Sequence, residues 1–119
     1  MARILVVDDK EVVRDGVGLT LARSGHGVCP ASDGASALEQ LDKRKIDLVI
    51  TDLSMPGMDG LELLHAIRER DEHMPVILMT AYGSIEKAVE AMRAGAWDFV
   101  TKPFHGCLLY TSPSPRDIS

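Results

Sequence analysis

The chain has 119 residues, 45% of them hydrophobic, and a net charge of −5. That length supports one domain with one core and is short for two. No apolar run approaches the roughly eighteen residues of a membrane span. The first run is cut by Asp8 and Asp9, too early for a signal peptide, so the cytoplasm is the expected location. The acidic balance argues against nucleic acid as a partner of this domain. Cys29 and Cys107 have neither metal spacing nor a framework pattern, which points to reduced thiols.

In chain order, Ile4–Val7 is a continuous β-branched run, as in a strand buried on both faces. Glu11–Ser24 carries Val13, Val17 and Leu21 at helical spacing and stops at Gly25. Within it, Gly16-Val17-Gly18 imitates a dinucleotide fingerprint but lacks the third glycine, so it reads as packing. A weaker strand is expected around Gly27–Pro30. Asp33 suits a cap for a helix with Ala37, Leu38 and Leu41 on one face, before the basic patch Lys43–Lys45. Leu48–Thr51 is the clearest central strand. Leu61–Arg70 is a helix with Leu63, Leu64 and Ile67 inward, and Pro75–Thr80 is another buried strand. Ser84 suits a cap for a helix with Ile85, Ala88, Val89 and Met92 on one side, closed by Gly95. Asp98–Thr101 is a short last strand.

Strand and helix therefore alternate, which predicts an α/β fold with a doubly wound parallel sheet covered on both faces. In such sheets ligands bind beyond the carboxyl ends of the strands. The residues there are Asp8 and Asp9 after the first strand, Asp52 after the third, Thr80 at the fourth and Lys102 at the fifth. A lone Asp after a strand is most often a turn former or cap. The coincidence at four strand ends shifts the balance towards a site. Clustered carboxylates repel unless a cation intervenes, and Mg²⁺ prefers one or two carboxylates with phosphate oxygens and water. A carboxylate beside such an ion is suited to act as a nucleophile towards phosphorus, with a nearby Lys on another oxygen. The residues thus predict Mg²⁺-dependent phosphoryl transfer onto a carboxylate. His26, His65, His73 and His105 lack ligand spacing, and Met55, Met58, Met74 and Met79 are better read as gap fillers.

The motifs VVDD (Val6–Asp9), TDLSMPGMDG (Thr51–Gly60), MTAYGS (Met79–Ser84) and AGAWDFVTKPF (Ala94–Phe104), in that order and spacing, resemble a bacterial two-component response-regulator receiver domain. The resemblance covers about Ala2–Phe104, and its second half is most similar to receivers of the nitrogen-regulation type. It implies a flavodoxin-like five-stranded sheet of order 2-1-3-4-5. It implies that Asp52 accepts a phosphoryl group from a sensor histidine kinase or phosphotransfer protein. Asp8, Asp9, Asp52 and the Ser54 backbone carbonyl would hold Mg²⁺, and Lys102 would bind the phosphoryl group. Thr80 would hydrogen-bond it while Phe99 turns inward, a two-state element biased by a local charge change. Ser54 and Tyr82 would set how fast water removes the phosphate. The family also implies a C-terminal output domain, commonly transcriptional, and homodimers through the fourth helix and fifth strand.

After KPF the family continues with an amphipathic helix, whereas this chain reads HGCLLYTSPSPRDIS. Pro113 and Pro115 oppose a helix there, and Cys107–Asp117 resembles a translated sequencing adapter. The expected division is a receiver over residues 1–106 and a disordered, non-native tail over 107–119; a natural Ser/Pro linker is the alternative. Loss of the last helix would uncover apolar sheet surface, disfavouring stability and dimerisation. Two other functions compete. An Asp-nucleophile phosphatase needs a second acid two residues after the nucleophile, where this chain has Ser54. A phosphorylation-independent module has no need of the full set of acids, Thr80 and Lys102. Enzymatic turnover of an outside substrate is therefore not expected.

Overall fold

Strand and helix alternate without exception along the described residues, 2–80 and 85–101 of a computed structural model. The elements are β1 (Arg3–Val7), α1 (Glu11–Arg23), β2 (Gly27–Ala31), α2 (Gly34–Lys43), β3 (Leu48–Asp52), α3 (Gly60–Arg70), β4 (Val76–Thr80), α4 (Ile85–Arg93) and β5 (Asp98–Thr101). All strand pairs are parallel, in the order β2-β1-β3-β4-β5. The fold is the doubly wound α/β sheet expected from the alternation, with the flavodoxin-like strand order that the resemblance implies. Asp52 and Thr80 prove to be the last residues of their strands, because each still pairs with its neighbour, Asp52 with Met79 and Thr80 with Thr101. Pro75 lies just outside β4, although its carbonyl still accepts from the Val49 N–H at 2.9 Å.

Side-chain alternation divides the core into two layers. Leu5, Val7, Val49, Val76 and Leu78 face Ala37 of α2, Leu63, Leu64 and Ile67 of α3, and Ala91 of α4. Ile4, Val6 and Met79 face the other way, against Val17 of α1, with Val13, Leu21 and Ile50 packed alongside. The sheet is thus clothed by α2, α3 and α4 on one side and, among the described residues, by α1 on the other. Next to α1 lies an apolar hollow of about 280 Å³ lined by Val17, Thr20, Leu21, Ile50, Ile77, Val100 and Thr101. Met55 and Met79 are buried, as gap fillers should be.

Helix α4 departs from the expected stripe. Ala88 and Ala91 are buried, while Val89 and Met92 are exposed. The small residues thus take the sheet side of this helix and the larger ones turn outward. The ends of the helices are set locally. Asp33 caps α2 by accepting from Ser36 N–H at 2.7 Å. Asp59 and Glu62 form a reciprocal capping box on α3, with bonds of 2.8 and 3.1 Å. Asp59→Ala is expected to cost about 1 kcal/mol of stability, read as a shift of the urea midpoint at unchanged slope.

No described helix is long and apolar enough to cross a membrane. Tyr82, the Ser84 cap, Lys102 and the expected 107–119 tail with Cys107 and its missing helix all lie outside the described residues.

Candidate functional site

The register of the sheet builds the site. Val7 of β1 pairs with Thr51 of β3, so the next residues, Asp8 and Asp52, stand side by side at the carboxyl edge of the sheet. Asp9 follows directly. Asp8, Asp9 and Asp52 each place a carboxylate oxygen so that these atoms all lie within 4.8 Å of one another. Asp8 is fully buried and Asp52 is 3% exposed, while Asp9 faces solvent. Burying two acids in contact with a third is costly unless positive charge and donors meet them. The geometry concentrates negative charge where the chain leaves the sheet, and that is what a hard cation requires.

Backbone donors hold the acids in place. Lys10 N–H donates to Asp8 Oδ1 at 2.8 Å, and Ser54 N–H donates to Asp52 Oδ1 at 3.2 Å. Asp8 N–H donates to Ala31 O at 3.1 Å, tying the loop to β2. The Arg14 guanidinium reaches back from the first turn of α1 and donates to the Asp8 carbonyl at 2.7 Å.

Thr80 is fully buried at the end of β4, one residue beyond the level of Asp52 in the register. Phe99 of β5 is partly buried and packs against the larger core layer, and its N–H donates to Asp98 Oδ1 at 2.8 Å. Ser54 is exposed in the loop after β3. The structure therefore brings together Asp8, Asp9 and Asp52, with Ser54 bonded to Asp52 through its backbone. Lys102 and Tyr82 fall outside the described residues.

The loop between β3 and α3 is closed tightly. Gly60 N–H donates to Leu53 O at 2.8 Å. A Cβ at Gly60 would lie 2.4 Å from Asp52 O and 2.7 Å from Leu53 Cα. At Gly34, on α2, a Cβ would meet Met58 Sδ at 2.5 Å. The loop after β3 is thus closed against the start of α3, where a side chain at Gly60 would meet backbone, and touches the start of α2 through the Met58 side chain. The sequence does not point to Arg14, and it offers Gly60 only as the end of the TDLSMPGMDG motif. The DG pair before the Leu61–Arg70 pattern carries a signal for Gly60, since a capping Asp precedes it. Arg14 carries none, because its bond is to the main chain six residues earlier.

The donor set fits a hard divalent cation. It consists of carboxylate oxygens, two of them buried, with no nitrogen or sulfur ligand in the group.

Comparison with known proteins gives a consistent result. A family model described as the response regulator receiver domain matches residues 4–112. The response regulator protein FleR of Pseudomonas aeruginosa is 47% identical over 103 residues, which is 87% of this chain and 22% of that protein. The transcriptional regulatory protein GlrR of Escherichia coli is 43% identical over 109 residues, 92% of this chain and 24% of that protein. The chain thus spans less than a quarter of the length of these two relatives. Among solved structures, the receiver domain of NtrX from Brucella abortus superposes with a TM-score of 0.84 at 42% identity, covering 89% of this chain and 90% of that one. A response regulator receiver domain protein from Clostridium thermocellum gives a TM-score of 0.83 at 34% identity, over 87% and 83% of the two chains.

Proposed function

The chain belongs to the response regulator receiver domain family, and on that premise we propose that Asp52 is its phosphoryl acceptor. The observation that carries the proposal is the convergence of Asp8, Asp9 and Asp52 within 4.8 Å at the open edge of the sheet. The family is one of signalling domains rather than of enzymes acting on outside substrates.

In the proposed reaction an Asp52 carboxylate oxygen attacks phosphorus of a phosphohistidine on a sensor kinase or phosphotransfer protein. The P–N bond breaks as the acyl phosphate P–O bond forms, and the departing imidazole takes up a proton. The Ser54 N–H on Asp52 Oδ1 orients the nucleophile. Asp8, Asp9 and Asp52, with the Ser54 carbonyl, are the proposed holders of Mg²⁺. When bound, the ion supplies positive charge that eases crowding of anionic oxygens around phosphorus. Lys102 is assigned to the transferred phosphoryl oxygens, and Thr80 is assigned to hydrogen-bond them, with Phe99 moving in step. The chain would assist its own phosphorylation and dephosphorylation and turn over nothing else, since Ser54 stands where a phosphatase keeps its acid.

The rest of the proposal concerns the whole protein. Acting in the cytoplasm, the domain would control an attached output domain, a transcriptional one given relatives such as GlrR, whose name describes a transcriptional regulatory protein. The family's DNA contacts would belong to that output and not to this acidic domain. The reading of residues 1–106 as receiver and 107–119 as a foreign tail stands as a proposal, checked by resequencing the coding DNA past Gly106. Pairing of two copies through α4 and β5 would draw on exposed Val89, Met92 and Val100, and absence of the last helix would disfavour it.

The test is the intact mass after treatment with acetyl phosphate and Mg²⁺, with size-exclusion chromatography of the same sample. A stable gain of one phosphoryl group supports the acceptor. Continuous phosphate release without labelled protein would favour a phosphatase, and no reaction would favour a plain interaction module. The labelled protein also tests the lifetime roles of Ser54 and Tyr82. Tyr82→Ala is expected to shorten the half-life of the label by admitting water, and an unchanged half-life counts against that role.

A further inference from the structure

Asp8 and Asp52 are fixed by burial, but Asp9 is exposed and packing does little to orient its carboxylate. Its place in the site depends on the ψ torsion of Asp8, since a change in that torsion moves the Asp8 carbonyl and the whole of Asp9 together. That carbonyl is the acceptor of the 2.7 Å bond from Arg14 Nη1. Arg14 is half-buried and sits one turn into α1, with its own N–H bonded to Lys10 O at 3.0 Å. Helical side chains lean towards the N-terminus of their helix. The guanidinium is thereby carried back over the loop without touching either carboxylate through this bond.

We propose that Arg14 is a positioning residue for the divalent cation, holding the Asp8–Asp9 peptide so that the Asp9 carboxylate faces Asp8 and Asp52. The inference rests on the reading of these three acids as a Mg²⁺ site. Mg²⁺ demands near-ideal octahedral geometry, so a carboxylate free to swing is a poor ligand. Residues that orient metal ligands without binding the metal commonly change its affinity about 10–100-fold when removed.

The sign of the effect separates this role from simple electrostatics. Removing a positive charge close to a cation site should strengthen Mg²⁺ binding if Coulomb attraction alone decides. Removing a positioning bond should weaken it. The experiment is a calorimetric titration of the chain with MgCl₂ alone, no phosphodonor present, for wild type, Arg14→Met and Arg14→Lys, with a thermal melt of each. Methionine keeps the apolar stem and loses the donors. Arg14→Met is expected to bind Mg²⁺ about 10-fold more weakly, with Arg14→Lys between it and wild type.

Binding by Arg14→Met equal to or tighter than wild type overturns the role. Should Arg14→Met fail to fold, Arg14→Lys decides, since it keeps charge and stem but not the planar fork. Weaker binding than wild type then supports the role, and equal or tighter binding overturns it. If wild type itself takes up no Mg²⁺, the reading of the three acids as a metal site fails, and the role of Arg14 falls with it.

Discussion

Asp52→Asn is expected to abolish phosphoryl uptake while leaving the chain folded and, without divalent cations, more stable than the wild type. The amide has the shape of the carboxylate, and its oxygen can still accept from Ser54 N–H, which donates to Asp52 Oδ1 at 3.2 Å. An amide oxygen is no nucleophile towards phosphorus, so labelling by acetyl phosphate should drop below detection. The stability gain follows from the crowding of Asp8, Asp9 and Asp52, whose oxygens lie within 4.8 Å. Two like charges at about 5 Å repel by roughly 3 kcal/mol at an effective dielectric of about 20, and surrounding donors and cations remove much of that. A net gain of about 1 kcal/mol corresponds to a rise of about 4–8 °C in Tm for a small domain. The check is a pair of melts in chelator and in excess Mg²⁺. The variant should lead in chelator and lose that lead when the metal neutralises the wild-type cluster. Wild-type labelling of the variant would remove Asp52 from its assigned role.

Gly60→Ala is expected to be among the most damaging single-methyl changes available. The added carbon would lie 2.4 Å from Asp52 O and 2.7 Å from Leu53 Cα. Both are backbone atoms, which no change of rotamer can move aside. Relief requires pulling the start of α3 away from the end of β3, stretching the 2.8 Å bond from Gly60 N–H to Leu53 O. Overpacking of this kind costs about 1–3 kcal/mol, and more where the backbone must shift; we expect at least 3. Native domains hold only about 5–15 kcal/mol in all. Gly16→Ala supplies the contrast. A Cβ there meets nothing within 4 Å on the exposed side of α1, and the helix should gain about 0.5–1 kcal/mol. Urea unfolding of the two variants tests the sign as well as the size. A Gly60→Ala midpoint close to wild type would mean that the two elements separate easily.

Most of the architecture was legible because a parallel sheet writes itself as uninterrupted apolar runs, such as Val76–Met79, separated by helical patterns. The three acids were legible for the related reason that strand ends fall where those runs stop. Strand limits were less so. Pairing continues for one residue past the apolar run at Asp52, and polarity gives no hint of it. The outward turn of Val89 and Met92 was hidden because a stripe at helical spacing does not say which side carries the sheet. Ala88 and Ala91 take that face, an outcome of tertiary packing. Arg14 was illegible since its partner is a carbonyl, which every residue possesses. The closeness of Gly60 to Asp52 O belongs to the docking of α3 on β3 and not to either segment alone.

The bond from Ser54 N–H to Asp52 Oδ1 has a spectroscopic consequence. An amide proton held by a carboxylate oxygen resonates according to the charge on that oxygen. Lys10 N–H bears the same relation to Asp8 Oδ1 at 2.8 Å. The domain therefore carries two labels of its own, one on each side of the cluster. Their ¹H–¹⁵N resonances can follow a MgCl₂ titration and treatment with acetyl phosphate separately, with no probe attached to the protein.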